Sequence, residues 1–255
     1  MRWVPDRTGR FRWRPWYDVG EIDGLCEDHV RRFLRARHGV VAYPIATDDL
    51  MLLIEHDADD LDVYADLSDL GGMGAEVEGV TTFVWGRRPR VRVARALSLD
   101  SRREARLRTT LAHEFGHVLL HNVVGDRDDD RLPFVPADET GAVLTPCCTP
   151  ATILGARQTD WMEWQAGYAS GALLMPRTTL QDTVSPFLEG DEGDDGHAVM
   201  ASERWRGRLV DRVMGRFLVS EAAAWVRLRQ LGYLAGHYAP LCATRAEADA
   251  RHDRA

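Results

Sequence analysis

A chain of 255 residues with a formal charge of −8 and four cysteines is long enough to bury a core in one or two compact domains. The charge argues against wholesale binding to nucleic acid, and four cysteines are too few to staple a chain of this size. No apolar run reaches the ~18 residues of a membrane span. The basic, aromatic start MRWVPDRTGRFRWRPWYD leads into no apolar stretch and does not read as a secretory signal; the expected compartment is the cytoplasm. Every basic side chain other than His is Arg, and Asn122 is the only Asn, which we read as codon bias without chemical meaning.

Residues 1–18 show little periodicity and are expected to form an arm. From Glu21 the apolar positions Ile22, Leu25, Cys26, Val30, Phe33 and Leu34 recur at helical spacing, with Gly39 as the stop. Thr47 followed by Asp48 and Asp49 resembles an N-cap with an acidic first turn, opening a short helix through Ile54. Strand-like stretches follow at Leu61–Leu67, Gly79–Trp85 and Arg90–Ala96, the last two broken around Gly86 and Pro89. They predict a small antiparallel sheet. A helix then starts near Ser101, where Glu104 three residues on completes a capping-box pattern. Its apolar face is Leu107, Leu111, Phe115, Val118 and Leu119.

Residues 123–159 contain the acidic run Asp126–Asp130, several prolines and the pair Cys147-Cys148. They are expected to form a long loop or lid, whose acidic run would steer a basic substrate. Cys26 and Cys242 are isolated and no C-x-x-C occurs, so the thiols read as incidental. Helix returns from about Asp160 to Met175, ended by Pro176. A polar stretch, Glu189–Gly196, reads as a linker, and roughly 198–235 as two or three further helices.

The chemistry sits in His113-Glu114-Phe115-Gly116-His117, an H-E-x-x-H. On a helix, His at i and i+4 share one face, so both imidazoles can reach one zinc ion at ~2.0–2.1 Å. Zinc lowers the pKa of a bound water to roughly 7, and Glu114 stands where it can take that water's proton. Apolar residues surround the motif on several sides, so the helix is expected to be buried, and buried polar groups need partners. A third ligand must come from elsewhere. Glu163 is favoured because Ala166, Gly167, Ala169, Ser170 and Gly171 follow it, small residues that let its helix approach the motif closely. Glu139 and Asp160 are the rivals. The further Gly and His of the metzincin pattern are missing, with Leu120 and Val123 in their places.

The stretches T-L-A-H-E-F-G-H-V-L-L-H (Thr110–His121) and E-W-Q-A-G-Y-A-S-G-A-L-L-M-P (Glu163–Pro176) resemble the ImmA/IrrE family of bacterial metallo-endopeptidases. Phe217–Gly232 also resembles that family's F-x-V-S-x-x-A-x-x-x-R-L-x-x-L-G pattern. The likeness spans roughly 90–235 and implies Glu163 as third ligand, three before the alanine. It departs from the family at Gly167 and Tyr168 and in the longer gap between His117 and Glu163. It implies zinc-assisted peptide hydrolysis of a protein substrate, typically a helix-turn-helix repressor, here one encoded nearby.

The expected fold is therefore α+β: a small antiparallel sheet packed on a helical zincin-like core, with a short C-terminal helical appendage. The expected organisation is 1–98 as N-terminal helices and sheet, and 99–190 as the peptidase core with its inserted loop. A helix-turn-helix-like appendage follows over 191–240, then a tail over 241–255. The appendage carries Arg204, Arg206, Arg208, Arg212, Arg216, Arg227 and Arg229; a helix-turn-helix could enter a DNA groove, yet a basic solvated helix face is the commoner case and the one expected over a DNA contact. The rival from another class is a non-catalytic DNA-binding or protein-binding regulator that keeps zinc in a closed site. Peptide deformylase, which also uses H-E-x-x-H, is set aside because the only upstream cysteine, Cys26, lies in a helix of its own.

Overall fold

The computed structural model describes residues 1–70, 76–84, 86–126, 142–144, 146–149, 153, 156, 160–189 and 203–235. The acidic run beyond Asp126, Glu139, the linker beyond Glu189 and the tail 241–255 lie outside the described residues. The chain divides into two compact units, Met1–Pro176 and Arg177–Ala255.

The first 18 residues are not a loose arm. Strands β1 (Arg2–Pro5) and β2 (Trp13–Trp16) pair antiparallel as a hairpin and bury Phe11, Pro15 and Tyr17. The hairpin has no sequence period because it is short and its aromatic residues pack on other elements, Phe11 edge-on to Trp161. Helix α1 (Val19–His38) opens on a capping box between Asp18 and Glu21 and closes at Gly39, whose φ of 72° suits a residue without a side chain.

Helix α2 (Thr47–Asp57) corrects one expectation: Ala46 is its N-cap, and no side chain caps it. The Thr47 hydroxyl instead donates to Glu104 Oε1 at 2.9 Å and accepts from the buried Arg108 at 3.2 Å. That contact also consumes the Glu104 carboxylate, so no capping box forms at the next long helix. A 3₁₀ turn capped by Asp100 precedes that helix instead.

Strands β3 (Asp60–Ala65), β4 (Gly79–Val84), β5 (Arg90–Ala94), β6 (Ala142–Leu144) and β7 (Cys147–Cys148) make one sheet of order β3-β5-β4-β6, with β7 also on β4. The sheet is mixed rather than antiparallel: β4 and β5 form a hairpin turning at Gly86, but β3 runs parallel to β5. The segment after β3 crosses to the far side of β5 before β4 begins, and nothing local in the sequence signals a crossover. The stretch expected as a lid contributes β6 and β7 to the other edge of β4.

A short helix, α3 (Arg95–Ser98), leads to α4 (Glu104–His121), and α5 (Trp161–Leu174) packs against it. Both helices are buried nearly all round, as expected of helices without a polar face. Their contact is close because of Gly116: a Cβ there would lie 3.0 Å from the Ala166 carbonyl oxygen and 3.1 Å from Ala169 Cβ. Strand β4 lies on α4. Its alternation sends Val80 into a cluster with Ala65, Leu67, Val77 and Ala94, while Phe83 joins Phe11, Val124, Trp161 and Met162. Buried Glu78, just before β4, receives Arg103 at 3.0 Å and Arg106 at 2.6 Å, fixing the strand to the start of α4.

In the second unit, helices α6 (Arg177–Glu189), α7 (Glu203–Phe217) and α8 (Glu221–Gln230) follow. Leu218 takes a positive φ of 53° between α7 and α8, and the Ser220 hydroxyl caps α8 by accepting from the Ala223 amide. Of the seven arginines read as a basic face, Arg227 is buried. No helix among the described residues is long and apolar enough to cross a membrane.

The α4–α5 contact yields a test. Gly116→Val puts two methyl groups against a neighbouring helix backbone that cannot move aside as a side chain can. Urea denaturation is expected to show a loss of about 1–3 kcal/mol, together with reduced metal uptake; wild-type stability would show that the helices are not in tight contact.

Candidate metal centre

Helix α4 presents His113, His117 and His121 at successive turns, with adjacent ring centroids 4.9 and 5.1 Å apart. Glu163 enters from the first turn of α5. Its Oε2 lies 3.2 Å from His113 Nε2, and its Oε1 lies 3.3 Å from His117 Nε2. One ligand atom from each of the three residues falls within 4.8 Å of the others. All three are buried, the two histidines completely. The rival Asp160 is turned outward in an ion pair with Arg10 at 3.0 Å.

The electrostatics follow from this arrangement. Burial opposes charge on His117, yet the carboxylate of Glu163 pulls its pKa above the ordinary histidine value. Burial alone would raise Glu163, but the imidazoles of His113 and His117 hold it below the usual carboxylate range. A positive charge is therefore favoured where these groups meet. His117 Nε2 is not aligned for a hydrogen bond with Glu163 and has no such partner among the described residues. Orphaned buried polar atoms are rare and call for an explanation. Two imidazole nitrogens and a carboxylate converging on one point form a donor set that fits a divalent metal ion.

Glu114 faces β4 beside this group. Thr81 donates to its Oε2 at 2.6 Å, while its Oε1 has no hydrogen-bond partner among the described residues. Gly79, two residues before Thr81 and on the same face of the strand, leaves room for the carboxylate: a Cβ there would come within 2.5 Å of Glu114 Oε1.

The family model of the IrrE N-terminal-like domain, Peptidase M78, matches residues 82–229, more than half of the chain. The chain belongs to that family. No curated protein and no solved structure matches it. Membership makes it a metallopeptidase-type hydrolase, which accounts for a buried His/Glu cluster suited to a metal ion.

Three further features of this family member's site are decided by tertiary contacts. Cys148, read as incidental, is fully buried, and its sulfur lies within 4.8 Å of ligand atoms of His113 and Glu114. Burial first, then the charge of Glu114, push its pKa well above that of a free thiol. It arrives through the pairing of Cys148 with Gly79 across β7 and β4, a register that cysteine spacing cannot reveal. His121, one helical turn beyond His117, is fully buried, and its Nδ1 lies 3.0 Å from His117 Nδ1. Gln165 lies two residues after Glu163 and reaches His121 at 3.0 Å.

The space at Gly79 can be tested directly. Gly79→Ala is expected to displace the Glu114 carboxylate and lower kcat/KM by roughly 10²-fold, with metal content unchanged. An unaltered rate would show that Glu114 does not need this position.

Proposed function

We propose that this chain is a zinc-dependent metallo-endopeptidase that cleaves a protein substrate of the helix-turn-helix repressor class in the cytoplasm. The observation that carries the reading is the convergence of His113 Nε2, His117 Nε2 and both Glu163 oxygens at one buried point, with the unpartnered Oε1 of Glu114 beside it. In this reading His113, His117 and Glu163 hold the ion, and Glu114 does not. Zinc, when bound, supplies Lewis acidity and makes hydroxide available at neutral pH. The protein's own part is proton handling. Thr81 ties down Oε2 of Glu114, which leaves Oε1 to accept the proton of the attacking water and pass it to the leaving amine. The repressor as substrate rests on the likeness of the Thr110–His121 and Glu163–Pro176 motifs to the ImmA/IrrE pattern.

Glu114→Gln separates base from ligand. The variant is expected to keep wild-type zinc content while hydrolysis falls by about 10²–10⁴-fold, measured on a repressor encoded beside the gene. Loss of zinc, or cleavage at the wild-type rate, contradicts the assignment.

One observation favours a second reading, a closed site in a non-catalytic regulator: Cys148 lies near enough to His113 and Glu114 to serve as a further ligand. A closed site has four protein ligands, whereas a catalytic one keeps a position open. The ligand atoms of His113, His117 and Glu163 come together as a group that does not include Cys148, which supports the open site. Cys148→Ala is expected to retain stoichiometric zinc and hydrolysis. Loss of zinc on dialysis would instead identify Cys148 as a ligand.

A further inference from the structure

We infer that the N-terminal hairpin belongs to the metal site: through Gln165 and His121, the Pro15 carbonyl fixes which nitrogen of His117 carries a proton, leaving Nε2 to face the ion. The inference rests on the proposal that His113, His117 and Glu163 bind zinc.

The direction of this chain of hydrogen bonds follows from its far end. A proline carbonyl can only accept, so the Gln165 group 3.2 Å from the Pro15 oxygen is the amide NH₂. The amide oxygen of Gln165 then points at His121 Nε2, 3.0 Å away, and as an acceptor it requires that nitrogen to carry the proton. Both ring nitrogens of the fully buried His121 meet groups without negative charge, the amide of Gln165 and the ring of His117, and a buried imidazole facing no negative charge is neutral. A neutral ring protonated at Nε2 has a bare Nδ1. That atom lies 3.0 Å from His117 Nδ1 and must accept from it. With the His117 proton committed to Nδ1, Nε2 is the nitrogen left to act as a ligand, and it is the one facing Glu163. Metal-bound histidines are commonly oriented by such a partner on the other ring nitrogen. Here the partner is itself oriented, through Gln165, by a strand near the start of the chain.

The hairpin is held for this task by contacts of its own. Tyr17 donates to the Leu120 carbonyl on α4 at 3.2 Å, and Arg14 lies over the Trp161 ring, 5.5 Å from its centroid. Trp161 in turn meets His121 edge-on at 5.3 Å, which shields the relay from water. His117, His121 and Gln165 fall inside the family-matched stretch, whereas Pro15 lies outside it. His121 and Gln165 are thus positioning residues, and Pro15 is their anchor.

The test uses the full chain and zinc itself, with dissociation constants measured by competition against a chromogenic chelator. Gln165→Met removes both amide functions at similar size, whereas Gln165→Glu keeps an acceptor for His121 in either protonation state. The Met variant is expected to bind zinc ~10–100-fold more weakly, and the Glu variant within about threefold of wild type, the scale typical of groups that orient a ligand. A merely structural role for Gln165 would not be restored by Glu. Histidine ¹⁵N NMR of the metal-free wild type should place the His121 proton on Nε2. Absence of zinc uptake by the wild type would overturn the metal reading itself. Zinc uptake by the wild type with an equal affinity in the Met variant, or a Glu variant as weak as Met, would overturn the relay alone. Should Gln165→Met fail to fold, a His121 proton found on Nδ1 in the wild type would overturn it equally.

Discussion

The site depends on how closely α4 and α5 approach. Interaxial distance is set by the side chains at the contact, and here Gly116 of α4 faces the backbone of Ala166 and the methyl of Ala169 with no side chain between. A glutamate side chain has limited reach. With the helices this close, Glu163 spans from the first turn of α5 to two imidazoles at once, one to each oxygen. The small residues Ala166 and Ala169 of α5 are buried against α4, and their size brings the helix's one carboxylate to the histidines.

That closeness has an energetic consequence. His113, Glu114, His117, His121, Gln165 and Thr81 are all buried, and a partly satisfied polar network in a low-dielectric interior is worse than an apolar one. The fold satisfies the outer members. Thr81 serves Glu114, while Pro15, Gln165 and His121 serve one another and His117. The atoms left without hydrogen bonds include His117 Nε2, which faces Glu163, and Glu114 Oε1 beside Gly79. These two atoms lie where an ion and a reacting water are proposed to sit, at the cost of a site that the surrounding scaffold must hold in place.

The scaffold is recruited from more of the chain than the family-matched stretch. That stretch starts at residue 82, inside β4, so Gly79 and Thr81, which shape the environment of Glu114, come just before it. Glu78 secures the same strand to α4 through Arg103 and Arg106. The hairpin β1–β2 comes from still earlier. Flanking segments are here part of how the central motif is presented.

The sequence by itself determined what depends on local order. An i, i+4 pair of histidines shares a helix face in any fold, so the pairing of His113 with His117 was legible. So were α1 with its Gly39 stop, the end of α5 before Pro176, and the family, since two motifs in order outweigh any single spacing. The tertiary structure alone decided what depends on partners distant in sequence. Thr47 and Glu104 each resemble a helix cap, and they bond to each other instead because α2 and α4 pack side by side. Residues 1–18 show no period because their order comes from contacts with Trp161 and Leu120. The parallel pairing of β3 with β5 and the arrival of Cys148 beside His113 are matters of strand order and register. Neither leaves a local trace, because the free energy that fixes them is released only when remote surfaces meet.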